Sequence, residues 1–192
     1  MGQDKGLDRE QGREQPQIHL YHGTGKGKTT AAVGLAIRMA GAGKKVLFVQ
    51  LMKGNDSSEM KLLRQLPQMK VLQVGRQFGF SWNMTEQEKT EITTRHNEML
   101  RQAAEIITAS QAGPEEERIA LLVLDEAVSA WRLRFLDRTL LQQLLTKKPC
   151  EIVLTGRDPD DELTGAADYI TNMQMERHPY EKGLQAREGI EW

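Results

Sequence analysis

Apolar residues in this chain fall into short continuous runs, and the stretches between them carry helical spacing. The run "IHLYH" (18–22) predicts a strand that leads into a glycine loop. In "TTAAVGLAIRMAGAG" (29–43), Val33, Ala36, Ile37 and Ala40 recur at helical spacing, and the Gly41–Gly43 region stops the helix. "KVLFVQLM" (45–52) predicts a fully apolar strand followed by Lys53, Gly54 and Asn55. A short helix over 57–66 ends before Pro67, and "MKVLQVG" (69–75) predicts a third strand followed by the loop "RQFGFSWN". The longest helix is predicted over 85–110. Thr85 and Glu88 form its capping box, and Ile92, His96, Met99, Ala103, Ile106 and Ile107 form one face.

"IALLVLDE" (119–126) predicts a buried strand, and "FLDRTLLQQLLTKK" a helix that ends at Pro149. "CEIVLTGR" (150–157) predicts another strand. Asp158 is the expected cap of the next helix, with Pro159 at its first position, and a last strand is expected over 168–177. Strands that alternate with helices predict an α/β fold: a mainly parallel sheet flanked by helices on both faces. Right-handed crossovers then bring every strand's carboxyl end to one side, where ligands of such folds bind. No repeat or composition shift divides the chain, so one domain is expected over 17–192, with residues 1–16 as a flexible polar tail.

Composition narrows the partners. With 192 residues, 39% hydrophobic and 28% charged, the chain is long enough for one sizeable core. A formal net charge of -1 gives no reason to expect nucleic acid as a partner, so any anion site must be built locally. No run approaches the roughly 20 apolar residues of a membrane span, and the polar start has no signal-peptide core. A single cysteine, Cys150, suits a reducing cytoplasm.

The local anion site is legible in "YHGTGKGKTT" (21–30). The G-x-x-x-x-G-K-[ST] pattern has His22 where its first glycine belongs, yet "GTGKGKT" keeps the working part. Gly23, Gly25 and Gly27 allow the backbone to turn several N–H groups inward around an anion, joined by Thr24, Lys26 and Thr30 as loop contacts. Lys28 can reach a phosphate oxygen, the Thr29 hydroxyl can ligate Mg²⁺, and the following helix adds its positive end. The dinucleotide fingerprint G-x-G-x-x-G does not fit this spacing. "LLVLDE" supplies Asp125 and Glu126 at a strand end, where a carboxylate can hold Mg²⁺. "LTGR" puts Arg157 at the next strand end, within reach of phosphates. Arg38, ten residues past Lys28, either faces solvent or turns back to the phosphates.

The loop "FGFSW" places Phe78, Phe80 and Trp82 within five positions, in a chain with only four Phe and three Trp. They form either a lid packed on the core or a platform for a large flat apolar ligand. The ordered set "GTGKGKTTAA", "FVQLMKG", "FGFSW", "LLVLDE", "IVLTGR" and "EKGLQAREGIEW" closely resembles the P-loop ATP:cob(I)alamin (corrinoid) adenosyltransferases, over residues 18–192. The resemblance implies a RecA-like fold, a homodimer and a reduced flavoprotein as electron donor. It implies transfer of the 5′-deoxyadenosyl group of ATP to cobalt(I) of a corrinoid, with release of triphosphate. By the same resemblance, Gly23, Gly25, Gly27, Lys28 and Thr29 hold the triphosphate, and Arg38 and Arg157 contact phosphates. Thr29 and Glu126, with Asp125, hold Mg²⁺. Phe80 and Trp82 face the corrin. Thr24 stands where the family often has Asn, and Phe78 has no counterpart.

This chemistry asks for no protein nucleophile, because cobalt(I) is one. His19, His22, His96, His178 and Cys150 are accordingly scattered and read as core or surface positions. The alternatives are a P-loop kinase or ATPase, which would release ADP, and a corrinoid-binding module without turnover.

Overall fold

The computed structural model describes residues 15–54, 57–79, 81–177, 179 and 183–190. Its strands are β1 (Ile18–His22), β2 (Lys45–Gln50), β3 (Met69–Gln73), β4 (Ile119–Asp125), β5 (Glu151–Gly156) and β6 (Tyr169–Asn172). Its helices are α1 (Lys28–Gly41), α2 (Ser58–Leu63), α3 (Glu86–Gln111), α4 (Ala127–Arg132), α5 (Arg138–Lys147) and α6 (Asp161–Ala166). One sheet runs in the order β3-β2-β4-β5-β1-β6, and every pairing is parallel. This is the doubly covered parallel sheet that the alternation predicts.

Strand pleating sorts the core into two layers. Leu47 and Val49 of β2, Leu122 and Leu124 of β4, and Ile152 and Leu154 of β5 face α3, α4 and α5. Val46, Phe48, Leu121, Val123 and Val153 face the other way, onto α1 and α2. Phe48 is wholly buried, a burial that stabilises by about 1.5–3 kcal/mol. The small residues Ala32, Ala36 and Ala40 form the buried face of α1. Of the face read from the sequence, Val33, Ala36, Ile37 and Ala40, the two alanines are buried and Val33 is partly buried. Ile37 is instead 39% exposed, because close approach of α1 to the sheet selects alanine at the contact.

Caps set the helix starts. Glu88 N–H donates to Thr85 Oγ1 at 3.2 Å while Thr85 N–H donates to Glu88 Oε2 at 2.9 Å, the capping box read from the sequence. The expected cap at Asp158 moves two residues on. Asp160 caps α6, with its carboxylate also accepting Trp131 Nε1–H at 2.6 Å. Trp131 is buried and its indole N–H needs an acceptor, which fixes Asp160 there. Asp158 takes a left-handed φ of 53° and pairs with Arg132 at 2.7 Å. The last strand is also shorter than expected, since only Tyr169–Asn172 pairs with β1. Among the described residues, no helix is long and apolar enough to cross a membrane.

Candidate active site

β1 delivers the chain to the glycine loop. Gly23 and Gly27 take φ of 112° and 115°, angles that L side chains resist. Gly25 is required for a different reason: a Cβ there would meet the Met173 and Gln174 carbonyl oxygens at 2.8 Å each. The segment after β6 thus lies directly against the loop. Gly25 N–H donates to Met173 O at 2.7 Å, and Met175 N–H donates to Thr24 Oγ1 at 3.3 Å. Gly27 caps α1 with no side-chain hydrogen bond, so the helix's amino end and its partial positive charge face the concave side of the loop.

Lys28 folds over that concavity, its Nζ donating to Gly23 O at 2.8 Å and Gly25 O at 2.6 Å. Burial holds its pKa below the usual lysine value, and the neighbouring Arg157 adds to the effect, while Glu126 pulls the other way. An arriving polyanion relieves the repulsion among these cations.

Asp125 closes β4 as a fully buried carboxylate. Its Oδ1 accepts from Thr29 Oγ1 at 2.8 Å and Thr155 Oγ1 at 2.6 Å. Its Oδ2 faces Gln50 Nε2 at 3.4 Å and Lys53 Nζ at 3.7 Å. A buried charge persists only with such partners. Glu126 follows in the left-handed region at φ 62° as the N-cap of α4. Its N–H donates to Thr155 Oγ1 at 2.9 Å, and its carboxylate accepts from Ser129 Oγ at 2.7 Å.

These groups border a cavity of about 760 Å³, within the usual range for a small-molecule site. Residues 24–30 form one wall as a continuous strip, Glu126 and Arg157 enter from the ends of β4 and β5, and Val33, Met175 and Ile190 supply an apolar side. Gly23 turns the chain behind the loop, and Asp125 lies beneath Thr29. Lys53 also lines the cavity, with Nζ 3.5 Å from Thr29 Oγ1. The sequence reading gave Lys53 no role. Its signal was a lysine directly after an apolar strand, at the end of the sheet where the ligand sits.

Arg38 does not join the site. It lies in the last turn of α1 and outside the cavity lining. Ten residues of helix carry it about 15 Å from Lys28 along the axis. The aromatic loop divides. Phe78 packs into the core, with the Arg76 guanidinium 5.1 Å from its ring centroid, so for this residue the lid reading holds. Trp82, in a 3-10 turn over Ser81–Asn83, is 76% exposed and does not line the cavity. Phe80 lies outside the described residues. Cys150 is buried, its thiol pushed up to about 12 by desolvation, which leaves it inert as a nucleophile. His178 lies outside the described residues.

The donor set suits a magnesium ion that arrives with phosphates. Thr29 Oγ1 and the Asp125 carboxylate converge through a 2.8 Å hydrogen bond, and both are hard oxygen donors. Among the described residues, no three His, Cys, Asp or Glu side chains cluster as metal ligands. One or two carboxylates and a hydroxyl would leave the remaining positions of a bound Mg²⁺ to phosphate and water.

A glycine loop between the first strand and first helix, with a carboxylate closing β4 on the far side of the intervening β5, defines a P-loop nucleotide-binding protein. A solved structure shares the fold. A KaiC-like protein from Pyrococcus horikoshii superposes with a TM-score of 0.53 over 84% of this chain and 72% of its own, at 15% identity, a likeness of fold. The family described as ATP:corrinoid adenosyltransferase BtuR/CobO/CobP matches residues 14–192, and this chain belongs to that family of adenosyl-transferring enzymes. The corrinoid adenosyltransferase of Pseudomonas aeruginosa is 30% identical over 95% of this chain and 87% of its own. That of Escherichia coli K12 is 30% identical over 91% and 85%.

Proposed function

We propose that the cavity grips ATP by its triphosphate and offers the ribose 5′-carbon to the cobalt(I) of a bound corrinoid. The Co–C bond forms, the C5′–O bond breaks, and triphosphate leaves. The observation that supports this most directly is the convergence of Lys28, Lys53 and Arg157 on one cavity, beside the Thr29–Asp125 pair. Stabilising the charge that develops on a leaving group is the largest lever a protein has here, and each such contact contributes on the order of 3 kcal/mol. The loop amides and α1 supply the fixed dipoles. Thr29, Asp125 and Glu126 would hold Mg²⁺, which neutralises phosphate charge when bound. Positioning the 5′-carbon in line with cobalt accounts for much of the rest.

In this reading Trp82 and Phe80 form the corrin-facing platform. Trp82's exposed ring supplies apolar surface for a flat macrocycle. Working as a homodimer, reduction by a flavoprotein and a cytoplasmic location complete the reading, with residues 1–16 as a tail outside the catalytic domain over 17–192.

Phosphorus NMR of a reaction containing ATP and chemically reduced corrinoid tests the proposal. Triphosphate as the phosphorus product is the expected result. ADP would identify a kinase or ATPase, and unchanged ATP a corrinoid-binding module.

A further inference from the structure

Lys53 reaches the cavity by an unusual turn. Met52 takes φ 62°, and Lys53 N–H donates to Leu51 O at 2.7 Å. A hydrogen bond closing over a single residue at positive φ marks a γ-turn of the rare, strained hand. Methionine has no conformational licence for that region, so the surrounding structure must enforce it. On one side, Leu51 N–H donates to the Asp125 carbonyl at 3.0 Å. On the other, Met52 N–H donates to His96 Nε2 at 3.1 Å.

His96 is wholly buried in α3 and is not part of the cavity lining. Its second nitrogen is also engaged: Nδ1–H donates to Phe135 O at 2.7 Å. Phe135 N–H in turn closes the end of α4 on Ala130 O at 2.8 Å, and α4 is the helix that Glu126 caps. The two partners fix the tautomer. A carbonyl requires a proton on Nδ1, and an amide N–H requires a bare Nε2. One imidazole therefore spans the turn that carries Lys53 and the segment that closes the Glu126 helix.

We infer that His96 is a positioning residue for triphosphate binding, acting through the Met52 turn to hold the Lys53 ammonium at the Thr29–Asp125 pair. This rests on the reading that the cavity grips a triphosphate. Without the acceptor at Nε2, the partly buried Met52 N–H loses its partner and the strained turn relaxes. Lys53 then leaves its place 3.5 Å from Thr29 Oγ1.

A double-mutant cycle on ATP affinity tests the inference. Dissociation constants for ATP with Mg²⁺ are measured by calorimetry for the wild-type chain, His96→Leu, Lys53→Ala and the double variant. The expected result is about a tenfold weaker affinity for each single variant, with His96→Leu costing under about twofold when Lys53 is already alanine. His96→Gln keeps an acceptor near the Nε2 position and restores affinity to within about threefold of wild type. His96→Asn keeps only the donor to Phe135 and does not restore it, and this pair decides the matter if the leucine variant fails to fold. An equal fold-loss from His96→Leu in both backgrounds, or full affinity in His96→Asn, overturns the inference. Because the readout is ATP binding, it is independent of the product assay. A chain that binds ATP with this coupling yet releases ADP refutes the adenosyl-transfer reading and leaves His96's role standing.

Discussion

The glycine loop and the aromatic loop both sit at the carboxyl ends of strands, but they are held in different ways. The glycine loop is fixed by backbone: Gly25 bonds to Met173, and Lys28 bonds back to two loop carbonyls. Beneath it, Thr29, Thr155 and Asp125 share one buried carboxylate. The aromatic loop holds Phe78 in the core, while Trp82 stays 76% exposed. Gly54, at the end of the Lys53 turn, packs so closely on the Arg76 carbonyl that a Cβ would clash there. The Lys53 turn touches the aromatic loop through that glycine. The groups facing the cavity are thus preorganised, whereas Trp82 leaves its ring exposed.

The largest effect is expected at the rigid end. Lys28→Ala should cut adenosyl transfer about 10³-fold, measured with reduced corrinoid. Undiminished turnover would remove the phosphate role from this lysine and erase the contrast. A second effect reports on the rigid end's framework. Burial holds the His96 pKa at about 4, against 6.5 in an unfolded chain. Between those values the unfolded state binds more protons, so stability is full above pH 6.5 and falls as pH drops toward 4. The total loss is on the order of 3 kcal/mol. Denaturant melts at pH 7 and pH 4.5 should show a steeper decline in the wild-type chain than in His96→Gln. Parallel declines would contradict the buried neutral imidazole.

Smaller effects sharpen the other side of the comparison. Trp82→Ala should weaken corrinoid binding about tenfold and leave ATP affinity within about twofold. Equal losses for both ligands would mean that the two loops act as one unit. Arg38→Ala should change either affinity by less than about twofold, since α1 carries that side chain away from the cavity. A tenfold loss of ATP affinity would show that the helix does bring it back.

The strand order of events along the chain was readable because strands buried on both faces leave continuous apolar runs, as in "LLVLDE" and "KVLFVQLM". The glycine loop was readable because its geometry needs residues that few other structures tolerate. Three features escaped for one shared reason. The turn at Met52, the left-handed Glu126 and the Asp160 cap are set by hydrogen bonds to His96, Thr155 and Trp131, all distant in sequence. Tertiary partners decided these conformations against local preference. Short α4 was missed for a related reason: two turns among buried residues leave no periodic pattern to read.

The order in which the cradle is completed has a consequence for biosynthesis. Residues 23–29 leave the ribosome early, yet the carbonyl that receives Gly25 N–H belongs to Met173, and Gly189 and Ile190 help to wall the cavity. β1 to β5 all precede Met173 in the chain, so the strands of the cradle are synthesised before the segment that completes it. Competence to hold nucleotide therefore waits on a segment far along the chain, and a fragment ending before residue 173 would lack the carbonyl that ties down Gly25.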